Sequence, residues 1–476
     1  MRVFSTFVSS FTLFSPRRAD ALLDLVDSLA GNTRFDSPVK VSLSPLFPRG
    51  YSSLYDAVAG FVEASAPAAG EGERAHRRQE LSRLVVEQLR PPERQPFWLL
   101  ATDVTPAPRP FAKSLADRGV VYAPNPTLGN KPIAVGHSYS ALVALPEQAD
   151  RHASPWVVPL SIERVASDTT GTATGAEQLH ALLTDDSLPF GRDLTVNVAD
   201  SAYSAVSYLG HRGETDNLLI VTRLPGNRTV YRSPPAPPTA PGKGHPPWYG
   251  ERFALSDPGT WSPPEDTLTV TTTTAKGRVL IIHLEVWYEL KLRGKRTLPM
   301  HRYPFTLIRG TVTDQEGRAV FQRSQWLIVF GQRRREITAR QAWDAYRQRY
   351  DIEHFFRFGK QRLLLASYQT PVVEHEESWW QLASLAYVQL WLARPLAQVL
   401  PNPWERYARP APTASPLSPA LVQRDFERII RQFGTPAQPP KPRGKSPGRR
   451  PGVCPGHRPT QPVIIKKAKK RLPQAA

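Results

Sequence analysis

Proline sets the first limits on this chain. It supplies 49 of 476 residues, and two stretches are especially dense in it. Residues 233–247, SPPAPPTAPGKGHPP, hold seven prolines, and residues 434–476 hold ten. Proline fixes φ and has no N–H, so neither stretch can be helix interior or central strand. The first reads as a stiff connector inside an otherwise folded region. The second carries eleven Lys or Arg and no Asp or Glu. With so few large apolar groups it is expected to be a disordered basic tail. Such a tail is either a non-specific arm for phosphate or solvated chain with no specific role.

The remaining composition argues for a folded protein. Hydrophobic residues make up 40% and there are eleven Trp, too apolar for a wholly disordered basic chain. The length suggests two to four domains at roughly 100–200 residues each. Lys and Arg number 61 against 42 acidic residues, a net +19, and residues 434–476 carry more than half of that excess. A polyanion is the expected partner. The single Cys454 excludes an internal disulfide framework and a Cys-rich zinc module, and it fits a reducing compartment. No signal peptide is expected, because the apolar start MRVFSTFVSSFTLF is broken by Ser and Thr and lacks a cleavage pattern. The most apolar run, WWQLASLAYVQLWLA at 379–393, is shorter than the ~20 residues of a spanning helix and reads as a buried core helix.

Pattern divides the chain into five parts. Residues 1–95 look helical, most clearly at 19–29 and 73–89. Residues 96–210 alternate strand and helix, with strands at 97–101, 133–144, 156–162 and 194–199 and a helix at 175–183. Residues 211–338 hold the proline connector and then a β-rich insertion, with strands at 268–274, 279–290, 302–313 and 319–330. Two helices follow within 339–400, at 339–364 and 378–396. The tail runs from 401 to 476. The expected fold class is α/β.

Three carboxylates stand where chemistry is often placed. Asp103, in FWLLATDVTP, is delivered by an apolar strand that Pro106 and Pro108 should end soon after. Asp200, in LTVNVADSAYS, closes another strand. Either alone is more often a cap or turn residue. Glu353 lies on the helix ARQAWDAYRQRYDIEHFFRFGKQRLLL. Tyr346, Arg349, Glu353 and Lys360 have offsets 0, 3, 7 and 14, which place them within an arc of roughly 60° at 100° per residue. Charges bordering a buried face are costly unless paired or used. The plain alternative is a solvated stripe with an ordinary Arg349–Glu353 pair. Three carboxylates on two strands and a helix would suit hard divalent cations such as Mg²⁺, and two such ions can serve an in-line phosphoryl displacement.

The spacing Tyr346-x2-Arg349-x3-Glu353-x6-Lys360 resembles the Y-x2-R-x3-E-x6-K signature of DDE transposases of the insertion-sequence-four group. The strand contexts of Asp103 and Asp200, and a β-rich stretch between the second Asp and the Glu, resemble that family too. The resemblance spans residues 96–396. It implies a ribonuclease-H-like catalytic core interrupted by a β-rich insertion. Asp103, Asp200 and Glu353 would be the catalytic residues and would hold two Mg²⁺ ions, with Mn²⁺ as a substitute. Tyr346, Arg349 and Lys360 would bind DNA near the transposon end, and the N-terminal helices would add DNA binding. It further implies double-stranded DNA as partner, a homodimer in the DNA complex, and work on the chromosome in a bacterial cytoplasm. Two rivals keep the same residues: a structure-specific metal-dependent nuclease, and a catalytically silent DNA-binding descendant.

Other residues point less clearly. Arg333, Arg334, Arg335 and Arg340 could face DNA or simply be solvated. His354 adjoins Glu353 but points about 100° away, and His137, His283 and His301 show no metal-ligand spacing. Trp287 and Trp326 could stack on a displaced base, although a strand Trp is usually core.

Overall fold

The computed structural model describes residues 18–63, 71–123, 132–148, 154–235, 247–274, 276–399, 417–432, 451–452 and 456–465. The middle of the proline connector and most of the basic tail lie outside these residues.

Helices open the chain: α1 (Ala19–Ala30), the short α2 (Pro38–Val41), α3 (Tyr51–Glu63) and α4 (Glu71–Val86). Helix α1 buries Leu22, Leu25, Val26 and Leu29, the stripe spacing of a helix with one core face. Strands β1 (Trp98–Pro108), β2 (Gly119–Tyr122), β3 (Ile133–Ala144) and β4 (Val158–Val165) follow. Next come α5 (Gly171–Leu183), β5 (Thr195–Ala199), the short α6 (Val206–Leu209) and β6 (Leu218–Arg223). Strand β3 runs antiparallel to both β1 and β4, whereas β1, β5 and β6 are parallel neighbours. The order across this part is β4-β3-β1-β5-β6.

The insertion continues the same sheet. After a two-stranded ribbon of β7 (Thr229–Tyr231) and β8 (Arg252–Ala254), the strands β9 (Asp266–Thr273), β10 (Val279–Leu290), β11 (Phe305–Asp314) and β12 (Gln325–Phe330) add on in the order β6-β12-β11-β10-β9, all antiparallel. Strand β6 lies beyond the boundary read at residue 210, yet it pairs directly with β5. Core and insertion therefore share one ten-stranded sheet. Phe253, Trp261, Trp287 and Trp326 form one aromatic cluster in the insertion, mostly edge-to-face, with Trp287 tilted on Trp326 and Phe253 stacked on Trp261. Trp287 and Trp326 are buried there and serve as core.

Strand β1 runs through both prolines that were expected to end it. Beyond Thr102 it pairs only with β3, since its pairing with β5 stops at Thr102↔Ala199. Arg109 N–H donates to Val135 O of β3. Successive residues alternate sides, so Pro106 and Pro108 turn their missing N–H toward the side that has no partner strand.

Helices α7 (Ala339–Gln348), α8 (Asp351–Arg362), α9 (Val373–Val399) and α10 (Pro419–Arg431) complete the chain. Helix α9 carries the apolar run: Trp379, Trp380, Tyr387 and Leu390 are fully buried. Trp380 stacks on Tyr139 with centroids 3.9 Å apart. No described helix is long and apolar enough to cross a membrane. Helix α10 lies inside the stretch read as tail, and it buries Val422, Phe426, Ile429 and Ile430. Further on, Gln461 N–H donates to Lys113 O and Ile464 N–H to Arg118 O, so residues 461–464 are laid against the β2 edge. The N-terminal helices are not a separate body: Gln389 of α9 donates to Asp27 of α1 at 2.9 Å, and one apolar core runs from Ala21 to Ile430.

Candidate active site

Two parallel strands deliver the first two carboxylates. The register Thr102↔Ala199 makes Asp103 and Asp200 the next residues on neighbouring strands. They therefore stand side by side where the β1–β5 pairing stops, Asp103 midway along β1 and Asp200 just past the carboxyl end of β5, on the side where open α/β sheets place their ligands. A buried ladder fixes this register: Thr102 Oγ1 donates to Asn197 Oδ1 at 2.9 Å, and Asn197 Nδ2 donates to Tyr208 OH at 3.3 Å. Asp200 caps the turn after β5, accepting from Ala202 N–H, so its capping role and its placement at the site coincide.

The third carboxylate comes from α8. The single helix expected over 339–364 is two. Arg349, Tyr350 and Ile352 make i→i−3 backbone bonds, one tight turn between α7 and α8 with neither Pro nor Gly present. The four-residue arc therefore does not persist as a surface stripe. Tyr346 enters the core, at 3% exposure. Arg349 turns toward β1, its Nη1 3.6 Å from Asp103 Oδ2 and its Nη2 donating to Glu353 Oε1 at 3.2 Å. Glu353 is about half exposed, Asp103 mostly buried. Lys360 Nζ donates to Thr105 Oγ1 and Pro106 O, each at 2.7 Å, which straps α8 to β1. So Asp103, Arg349, Glu353 and Lys360 do converge, with Asp200 alongside.

Electrostatics reflect that crowding. Burial pushes the Asp103 carboxyl up to about 6, and Asp200 and Glu353 push the same way, while Val104 N–H and Arg349 oppose them. Burial lowers Lys360 to about 8. As donors, three carboxylates suit a hard divalent cation. Their arrangement does not yet suit one: among the described residues, no three Asp, Glu, His or Cys groups are placed to hold a metal ion. Between Asp103 and Glu353 stands the Arg349 guanidinium.

A second buried cluster braces the site, and sequence reasoning missed it. Glu376 on α9 is fully buried. It accepts from Arg109 Nε at 3.2 Å and from Tyr139 OH at 3.0 Å, and His137 Nδ1 lies 3.1 Å away. Burial pushes this carboxyl up, but His137, Arg109 and Tyr139 outweigh that and hold it below its ordinary range. Arg109 also donates to Ala366 O and Tyr368 O, tying the end of β1 to the loop after α8. His137 thus has a structural partner 239 residues away, a separation that leaves no local signal. The four arginines read as either DNA-facing or solvated are each ion-paired: Arg333 with Glu336, Arg334 and Arg335 with Glu289, Arg340 with Asp344. Among the described residues, His354 makes no hydrogen bond to the three carboxylates.

The family model described as DDE superfamily endonuclease matches residues 9–279, more than half of the chain, and the chain belongs to that family. The match covers Asp103 and Asp200 and ends before Glu353. No curated protein matches the chain.

Proposed function

We propose that the chain is a DNA transposase of the insertion-sequence-four group with a ribonuclease-H-like core, acting on double-stranded DNA as a homodimer. One observation carries this reading: Asp103 and Asp200 sit on adjacent parallel strands just where their pairing stops, and Arg349 reaches from Asp103 to Glu353. The strand order β4-β3-β1-β5-β6, with three antiparallel and then two parallel strands, supports the core assignment. Catalytic roles go to Asp103, Asp200 and Glu353, and DNA contacts to Tyr346, Arg349 and Lys360. Tyr346 is buried, so it would act by packing against Arg349, whose guanidinium lies 5.6 Å from its ring. Mg²⁺ is the proposed cofactor on the chemistry of the donor set.

The reaction would proceed in two displacements at phosphorus. Water attacks the phosphodiester at the element's end, its oxygen bonds to phosphorus, and the 3′-oxygen leaves as a hydroxyl. That 3′-hydroxyl then attacks a target phosphate, losing its proton, while the target strand's own 3′-oxygen departs as a new hydroxyl. The Asp103, Asp200 and Glu353 carboxylates would hold the divalent cations, which would supply charge neutralisation at the reacting phosphate, and Lys360 and Arg349 would add to it from the protein side.

Excision and rejoining in cells test the reading, from a plasmid carrying the gene with its native flanks. Wild type should excise and Glu353→Gln, Asp103→Asn and Asp200→Asn should not, each retaining DNA binding. Excision by any variant would remove that residue from the site. Cleavage without joined product would favour the nuclease.

A further inference from the structure

The disagreement between the donor set and its geometry has a specific cause in Arg349. Its guanidinium is 7% exposed and lies within ion-pair distance of Asp103 and Glu353. Its donors are nonetheless only partly filled, by Glu353 and by a hydrogen bond with Tyr346. The 3.6 Å separation from Asp103 is too long for a hydrogen bond, and Nε is buried with no acceptor among the described residues. Tyr350 and Tyr346 cover it, with ring centroids 4.7 and 5.6 Å from the guanidinium carbon. A buried cation with unfilled donors has somewhere better to go, and a phosphate offers the paired acceptors it lacks.

We propose that Arg349 is an internal counter-ion, standing between Asp103 and Glu353 in the DNA-free chain and excluding a divalent cation until a DNA phosphate draws the guanidinium away. This rests on the reading of Asp103 and Glu353 as metal ligands. The consequence is an order of assembly: DNA is engaged first and metal second, so free enzyme carrying metal alone is not poised to hydrolyse phosphodiesters at random. Two like carboxylates kept close repel unless one takes a proton or a cation stands between them, and here a guanidinium does. Arginine suits the post better than lysine, because its planar fork reaches both groups at once.

Mn²⁺ binding to the full-length, DNA-free chain tests this, read by the electron paramagnetic resonance signal of free Mn²⁺ and by the shift of the melting temperature. Wild type should bind at the site weakly. Arg349→Gln should bind at least about tenfold more tightly and melt higher with Mn²⁺ than without. Arg349→Lys should fall between, and Arg349→Gln/Glu353→Gln should lose the gain. Adding a DNA duplex of the element's end should raise Mn²⁺ affinity of wild type but change Arg349→Gln little. Circular dichroism of each variant without metal verifies folding, and Arg349→Lys serves if Arg349→Gln fails to fold. Equal, tight, Glu353-dependent binding by wild type and the Arg349 variants would overturn the proposal while keeping the metal site. No site-specific binding by any variant, with or without DNA, would overturn both the proposal and the metal-ligand reading beneath it.

Discussion

A buried carboxylate with too few partners is a stability cost that can be located and removed. Asp27 of α1 is 6% exposed, and burial pushes its carboxyl up to about 7 against the single hydrogen bond from Gln389. An unfolded aspartate gives up its proton near 3.8, so the folded state binds more protons between those values and stability falls as pH rises through that window. The full cost, on the order of 2–4 kcal/mol, is present above pH 7. Asp27→Asn should therefore stabilise the chain by that order at pH 8 and change little at pH 4, measured by urea denaturation at both. An equal effect at the two pH values would mean that Asp27 is not held protonated. Asp103, also pushed up by burial, follows the same rule. At this scale Asp103 and Asp200 were legible, because each ends an apolar run that must be a buried strand. Arg349 was legible only as a neighbour of Glu353. Its reach to Asp103 joins residues 246 positions apart, and no local pattern encodes that.

At the scale of elements, the insertion packs directly against α7. Trp343 of α7 lies flat over Gly310 of β11: a Cβ there would come within 1.9 Å of the indole. Gly310→Ala should push α7 off the sheet and cost about 2–3 kcal/mol, toward the upper end of overpacking effects. Gly226→Ala, where a Cβ meets nothing within 4 Å, is the neutral control. DNA cleavage should fall with Gly310→Ala more than DNA binding does, because α7 leads directly into Arg349. Unchanged melting of Gly310→Ala would show that the α7–β11 contact is loose. The alternating strands β10 and β11 were readable from β-branched and aromatic runs. The break between α7 and α8 was not, since Arg349-Tyr350 carries no helix-breaking residue and the tight turn is imposed by docking on β1.

For the molecule as a whole, charge and fold separate. The eleven basic residues of 434–476 are the candidate phosphate arm, whereas arginines 333, 334, 335 and 340 form ion pairs with neighbouring carboxylates. Truncation after Gln432 should flatten the dependence of DNA affinity on salt by several units of slope, at about 0.9 for each phosphate no longer neutralised, and leave cleavage of bound DNA in place. An unchanged slope, from binding titrations across salt concentrations, would assign the tail no role on DNA. Local patterning was enough to mark the acidic residues that follow apolar strand runs, the helix spacing that brings Glu353 near them, the β-rich character of the insertion and the basic excess. Each of these is written in residues close together along the chain, through strand alternation, helix periodicity and composition. Only the tertiary structure decided that β6 joins core to insertion in one sheet, that the N-terminal helices share the core of α9, and that a guanidinium stands among the carboxylates. Those outcomes depend on which surfaces bury each other across hundreds of residues, where the favourable energy lies in packing and desolvation rather than in any local preference.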